Sequence, residues 1–256
     1  MIRPNQIKAK IQIGQPALGV SVMIPSPQIV EMIGVLGFDW VLIDCEHGTN
    51  TPESVELMIM AAELSGITPI VRPKSREADD ILQVLERGAM GVQVPHVNTA
   101  DQARRVVEAV KYHPLGRRGL GAGTRPTNYG LGPALDEFVA QSNRETLVCV
   151  QLEEVEALQN IDDILRVEGV DVFFVGPSDL SQSLGYPGQT NAPAVRAAVD
   201  AAFEAIVAAG KTPGSAGSTE AIRHYLSKGC RYVYTHVPRL LDAGARAFFE
   251  AIRGSG

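Results

Sequence analysis

Four apolar runs in this 256-residue chain end in side chains able to do chemistry. Trp40-Val41-Leu42-Ile43 runs into Asp44, Cys45, Glu46 and His47. Thr68 to Val71 runs into Arg72. Leu147 to Val150 continues as Gln151-Leu152-Glu153, in which Gln151 and Glu153 share one face of an extended segment. Val170 to Val175 is followed by Gly176-Pro177-Ser178-Asp179. Glu153 and Asp179, with no cysteine and no second histidine beside them, form a hard oxygen pair. Such a pair suits Mg²⁺ or Mn²⁺ and leaves positions for water and an oxygen-rich substrate, whereas zinc would recruit more nitrogen or sulfur. His47 is a candidate base because its ordinary pKa lies near neutrality. Asp44, three residues earlier, is expected to orient it. His96 also follows a strand, in Val94-Pro95-His96. Arg72 suits an anion or a developing oxyanion, and the backbone N–H groups around Ser178 suit a carboxylate or phosphate. Each has a structural alternative: Asp179 as a helix cap, His47 as a hydrogen-bonded strand-end residue, Arg72 in an ion pair. Acidic neighbours raise a thiol pKa, so Cys45 reads as a packing residue.

These groups need elements to hold them. Strands are expected at Leu18 to Ile24, Trp40 to Asp44, Thr68 to Arg72, Gly91 to Pro95, Leu147 to Leu152, Val170 to Val175, Thr212 to Ala216 and Arg231 to Thr235. Helical periodicity follows nearly all of them: Ser54 to Leu64, Ala78 to Glu86, Thr99 to Val110 and Ala194 to Ala209. Stops fall at Gly66, Gly88, Gly210 and Gly229. Alternating strands and helices imply βαβ units and a parallel sheet. Eight units in this length predict a single-domain (β/α)8 TIM barrel over 1–256, a fold whose active sites lie at the strand C-termini. A doubly wound open sheet is the competing arrangement. The seventh strand is the weakest, because its Gly and Pro content also reads as loop. Residues 113–145 break the rhythm as a Gly-, Pro- and Arg-rich insertion ending in a short amphipathic stretch. Within it, Gly119-Leu120-Gly121-Ala122-Gly123 has the glycines of a phosphate loop but not its Lys-Ser/Thr or its strand-turn-helix frame.

Composition narrows the function. The chain is 45% hydrophobic and 20% charged, which is globular, and its net charge of −6 argues against a nucleic-acid partner. Three widely spaced cysteines, Cys45, Cys149 and Cys230, are neither a disulfide framework nor a zinc site. With no signal-peptide pattern and no run of roughly 18 apolar residues, a soluble, cytoplasmic protein without a membrane partner is expected.

The chain resembles the HpcH/HpaI aldolases, the metal-dependent pyruvate aldolases. The resemblance is carried by GFDWVLIDCEHG (37–48), VRP (71–73), YHPLGRRGLG (112–121), VQLE (150–153) and EGVDVFFVGPSDLSQSLGYPG (168–188). It implies a barrel that makes or breaks a carbon–carbon bond next to pyruvate, with a 4-hydroxy-2-oxo acid on one side and pyruvate plus an aldehyde on the other. By motif match, Glu153 and Asp179 hold a divalent metal (Mg²⁺ or Mn²⁺, with Co²⁺ an option), Gln151 and Ser178 help to seat substrate, and Arg72 stabilises the enolate oxygen. His47, paired with Asp44, moves the proton. It further implies a homohexamer, a trimer of dimers, with the C-terminal helix packed across a subunit interface and Glu86 offered to a neighbour's site. The chain departs from the family pattern at Gly19-Val20-Ser21, GSAGSTEA (214–221) and Thr235-His236-Val237-Pro238, on the aldehyde side.

Three rivals remain at this level. A Schiff-base aldolase needs a desolvated strand-end lysine, and Lys74 is the candidate. A phosphosugar-type isomerase or lyase would seat phosphate at Gly214 to Ser218. A barrel that only binds a ligand would not need the His, Arg, Glu and Asp set together.

Overall fold

The computed structural model describes residues 3–253. Eight strands, β1 (Ala17–Val22), β2 (Trp40–Asp44), β3 (Thr68–Arg72), β4 (Gly91–Val94), β5 (Leu147–Leu152), β6 (Val172–Val175), β7 (Pro213–Ala216) and β8 (Tyr232–His236), pair in parallel and in chain order. Strand β8 returns to β1, with Ala17 opposite Tyr232 and Ser21 opposite His236, so the sheet closes and the open-sheet alternative falls. The helices are α1 (Gln6–Gln12), α2 (Pro27–Val35), α3 (Pro52–Leu64), α4 (Ala78–Glu86), α5 (Ala100–Val110), α6 (Leu135–Glu145), α7 (Val155–Gln159), α8 (Ile161–Leu165), α9 (Pro177–Ser183), α10 (Pro193–Ala208), α11 (Thr219–Ser227) and α12 (Val237–Arg253).

Each strand sends alternate residues to two cores. The outer one, between strands and helices, takes Val41, Ile43, Val71, Val92, Val148, Val150, Phe173 and Val175 among others. The inner one fills the barrel with Trp40, Leu42, Ile70, Leu147, Cys149, Val172, Phe174, Tyr232 and Tyr234. Large rings need small neighbours. A Cβ on Gly19 would lie 2.3 Å from the Trp40 ring, and one on Gly214 would lie 2.9 Å from that of Tyr232. The weak β propensity of β7 therefore has a packing cause: its glycine makes room for the aromatic residue of β8.

Helix α1 lies outside the predicted elements. Asn5 caps it by accepting from the N–H groups of Ile7 and Lys8, and also donates to the carbonyls of Met90 and Glu145 (3.0 Å each), which precede β4 and β5. Ile7 is thereby inserted into the inner core. Both chemistry and packing are thus segregated by end: α1 stoppers the N-terminal mouth, and the polar strand ends line the other. The insertion is ordered on the outside of the barrel. It contains a 3-10 segment (Arg125–Gly130) and α6, and is fastened by the Arg125–Glu63 ion pair and by Arg118, which lies 4.6 Å over the Tyr112 ring and 3.6 Å from Glu86.

Candidate active site

Parallel register puts Asp44 directly opposite Arg72 at the ends of β2 and β3. The Arg72 guanidinium grips Asp44 with two donors, Nε at 2.8 Å and Nη2, while Nη1 lies 3.1 Å from Glu46. Both partners are buried, Asp44 completely. Burial alone would raise the Asp44 pKa, but the hydrogen bonds and charge of Arg72 and the N–H groups of His47 and Glu46 hold it below its ordinary value. Burial likewise opposes the charge on Arg72, and Asp44, with Tyr234 and Glu46, more than restores it. The loop after β2 folds tightly over this pair. A Cβ on Gly48 would lie 2.2 Å from the Asp44 carbonyl oxygen, which also accepts from Asn50 Nδ2 at 2.7 Å.

Across the barrel mouth, Glu153 is 1% exposed. Its Oε1 accepts from the His96 N–H (2.9 Å) and its Oε2 from Gln151 Nε2 (2.6 Å). Gly176 lets it sit there, since a Cβ at that position would meet Glu153 Oε2 at 2.8 Å. Burial pushes the Glu153 pKa up to about 7, with Asp179 and Glu46 adding to the rise and His96 opposing it. Asp179 is half-buried in the first turn of α9, whose cap is Gly176 without a side-chain bond, so Asp179 is not the helix cap. Ser178 is exposed, and with Pro177 lacking an N–H, the donors at the start of α9 belong to Ser178 and Asp179.

The structure corrects one pairing. Asp44 binds the backbone N–H of His47 at 3.3 Å, not its ring. The ring is exposed and lies 3.7 Å from Glu46. Asp44 is already committed to Arg72, so it sets the loop's backbone rather than the imidazole. Glu86 ends α4 at the opposite end of the barrel and pairs with Arg118, so it does not enter its own chain's site.

The chain matches the HpcH/HpaI aldolase/citrate lyase description over residues 19–233. It belongs to that family. It is 37% identical to the hydroxypyruvate/pyruvate aldolase of Cupriavidus necator over 243 residues, covering 94% of this chain and 89% of the relative. It is also 37% identical to the 4-hydroxy-2-oxo-heptane-1,7-dioate aldolase of Shigella flexneri, over 98% of this chain and 94% of that one. Among solved structures it superposes on an HpcH/HpaI aldolase/citrate lyase family protein from Burkholderia cenocepacia with a TM-score of 0.91 at 27% identity, covering 98% and 100% of the two chains.

Within this HpcH/HpaI barrel, sequence reading named Gln151 and His96 beside Glu153 but missed Gln93 behind them. Gln93 and Gln151 are buried amides in otherwise apolar strands, and Gln93 Nε2 lies 2.5 Å from Gln151 Oε1. That pattern, one glutamine in each of two neighbouring strands, was a usable signal. His96 takes a left-handed backbone (φ 55°) that aims its N–H at Glu153. Its ring nitrogens reach Glu154 (2.8 Å) and Glu46 (3.2 Å). Burial works against its protonation, and Glu153, Glu154 and Glu46 more than offset that, so its pKa is raised.

No group of three or more His, Cys, Asp or Glu side chains among the described residues is arranged to hold a metal ion. A two-carboxylate set would instead leave most positions to substrate and water. Glu153 is a buried acid flanked by acids, the situation a divalent cation relieves, so the donor set fits such an ion.

Proposed function

We propose that this chain is a pyruvate aldolase that reversibly cleaves a 4-hydroxy-2-oxo acid into pyruvate and an aldehyde. The observation that carries the reading is the opposition of Arg72, held by Asp44 and Glu46, to the buried carboxylate Glu153 across one barrel mouth. Family membership and aldolase relatives support it. Glu153 and Asp179 would hold a divalent cation, Mg²⁺ or Mn²⁺, which when bound supplies Lewis-acid polarisation of the 2-oxo group. The remaining work falls to the chain. Arg72 has N–H groups beyond those given to its carboxylates, and these can donate to the oxyanion that develops as the C3–C4 bond breaks. Because Asp44 and Glu46 hold the guanidinium beforehand, little reorganisation is needed during reaction. His47, exposed at the rim on a loop whose backbone Asp44 fixes, is placed to take the 4-hydroxyl proton and to return one to C3. Ser178 and Asp179 N–H groups are free to receive the substrate carboxylate.

The rivals fit less well. Lys74 is exposed. Lys111, the one lysine buried among the described residues, has a pKa lowered to about 8 by burial. Its Nζ, however, is bound to the carbonyls of Asn143 and Thr146 on the outside of the barrel. A phosphate loop after β8 is absent among the described residues, because β8 ends at His236 and α12 begins at Val237. No helix among them is long and apolar enough to cross a membrane, and the three cysteines are free and buried, which fits a reducing compartment such as the cytoplasm. The reading extends to a homohexamer joined partly through α12.

The test is exchange of pyruvate methyl protons in deuterated water, followed by NMR. Exchange should require Mg²⁺ or Mn²⁺, stop with EDTA, and be lost in Glu153→Ala and in Arg72→Ala. Exchange that survives EDTA, or a fully active Glu153→Ala protein, would overturn the assignment.

A further inference from the structure

Behind Glu153 runs a buried hydrogen-bond chain with a single polarity. The Tyr232 hydroxyl donates to Gln93 Oε1 at 3.1 Å. Gln93 Nε2 donates to Gln151 Oε1 at 2.5 Å and to the Tyr234 hydroxyl at 3.2 Å. Gln151 Nε2 donates to Glu153 Oε2 at 2.6 Å. Tyr232, Gln93 and Gln151 are all fully buried. A carboxylate that holds a cation is ionised and only accepts, so Gln151 then turns its NH₂ group toward Glu153 and its oxygen toward Gln93 on β4. That oxygen requires a donor from Gln93, whose own oxygen must then be satisfied by Tyr232. Tyr232 is itself fixed, stacked on Trp40 with centroids 4.1 Å apart. Reversing Gln151 would set its oxygen against the carboxylate, and reversing Gln93 would set its oxygen against that of Gln151.

Packing alone does not call for this arrangement. The surrounding core is Trp40, Leu42, Ile70, Phe174 and Tyr234, and an apolar pair of the same volume would fill the space without desolvating two amides. We propose that Gln93 is a positioning residue for Glu153: it locks the orientation of the Gln151 amide and thereby aims the carboxylate at the barrel mouth. The proposal rests on the reading of Glu153 as a cation ligand.

The experiment measures Mn²⁺ affinity of the metal-stripped full-length protein, without substrate, by electron paramagnetic resonance. Gln93→Met keeps the volume and removes both ends of the relay; it should raise the Mn²⁺ Kd about tenfold, within the range for loss of a group supporting a ligand. Tyr232→Phe, which removes one hydroxyl, should raise it about threefold, as for one neutral hydrogen bond. The double variant should bind no more weakly than Gln93→Met, because both residues act through one chain. Circular dichroism establishes that each variant is folded, and if Gln93→Met does not fold, Tyr232→Phe carries the test. Wild-type affinity in the folded variants, with binding lost in Glu153→Gln, would overturn the role of Gln93 and leave the cation reading standing. Unchanged binding in Glu153→Gln would overturn both.

Discussion

Arg72 shows how a site residue is committed by its neighbours before substrate arrives. Its three nitrogens face Asp44 and Glu46, so the buried pair is structural as well as chemical. Asp44→Asn should therefore cost stability of about 3 kcal/mol at pH 7, because it leaves a buried guanidinium short of its counter-charge. The same pair sets an acid limb. The Asp44 pKa is lowered from 3.8 in the fold, so the native state binds fewer protons than the unfolded chain. The stabilisation is full above that ordinary value and is lost as pH falls through the depressed folded value. Urea melts at a series of pH values should show wild-type stability dropping below pH ~4, with a shallower drop in Asp44→Asn. Equal slopes would mean that the pair contributes nothing to the acid transition. The residues at the strand ends were legible in the sequence as polar interruptions of apolar runs. Their partners were not. Sequence spacing tied Asp44 to His47, whereas barrel register ties it to Arg72, 28 residues away.

At the scale of elements, the barrel tolerates its bulky interior only through glycines on neighbouring strands. Gly214→Ala would place a Cβ 2.9 Å from the Tyr232 ring and 3.0 Å from both the Tyr232 carbonyl and Val172. Backbone and a packed core residue cannot yield easily, so the substitution should destabilise the protein by about 1–3 kcal/mol, read by urea unfolding. An unchanged midpoint would show that β7 is free to shift. This explains what sequence reading found hard. Hydrophobic periodicity located β2, β3 and β5 to the residue, because their residues are buried on both faces. Strand β7 has its sequence dictated by a neighbour's ring instead, and local propensity cannot register that. Helix α1 was missed for a similar reason: it buries only Ile7, which leaves too little apolar periodicity to read. One capped start was plainer: Thr99 accepts from the N–H of Gln102, three residues on, the pattern expected of such a residue before a helix, whereas α3, read from Ser54, begins at Pro52 behind a Thr51 cap.

Considered whole, the chain carries apolar residues on α12 that its own barrel leaves uncovered. Helix α12 buries none of its residues, and Leu241, Phe248 and Ile252 are 68%, 62% and 71% exposed. Contiguous apolar faces of this kind mark contacts between proteins, which supports assembly through α12. The native mass by light scattering should be near six times 27.4 kDa, and Leu241→Asp with Phe248→Asp should reduce it. Glu86 gives this a sharper form. In its own chain it sits at the far end from Arg72, paired with Arg118, so only a neighbour could receive it in a site. Arg72→Ala and Glu86→Ala proteins should each be inactive alone. Mixed, dissociated and reassembled, they should regain activity in about a quarter of the sites, those that draw an intact Arg72 from one chain and an intact Glu86 from the next. Activity that stays absent after mixing, in assemblies shown to contain both chains, would confine the site to one subunit. An active Glu86→Ala protein would remove Glu86 from the chemistry altogether.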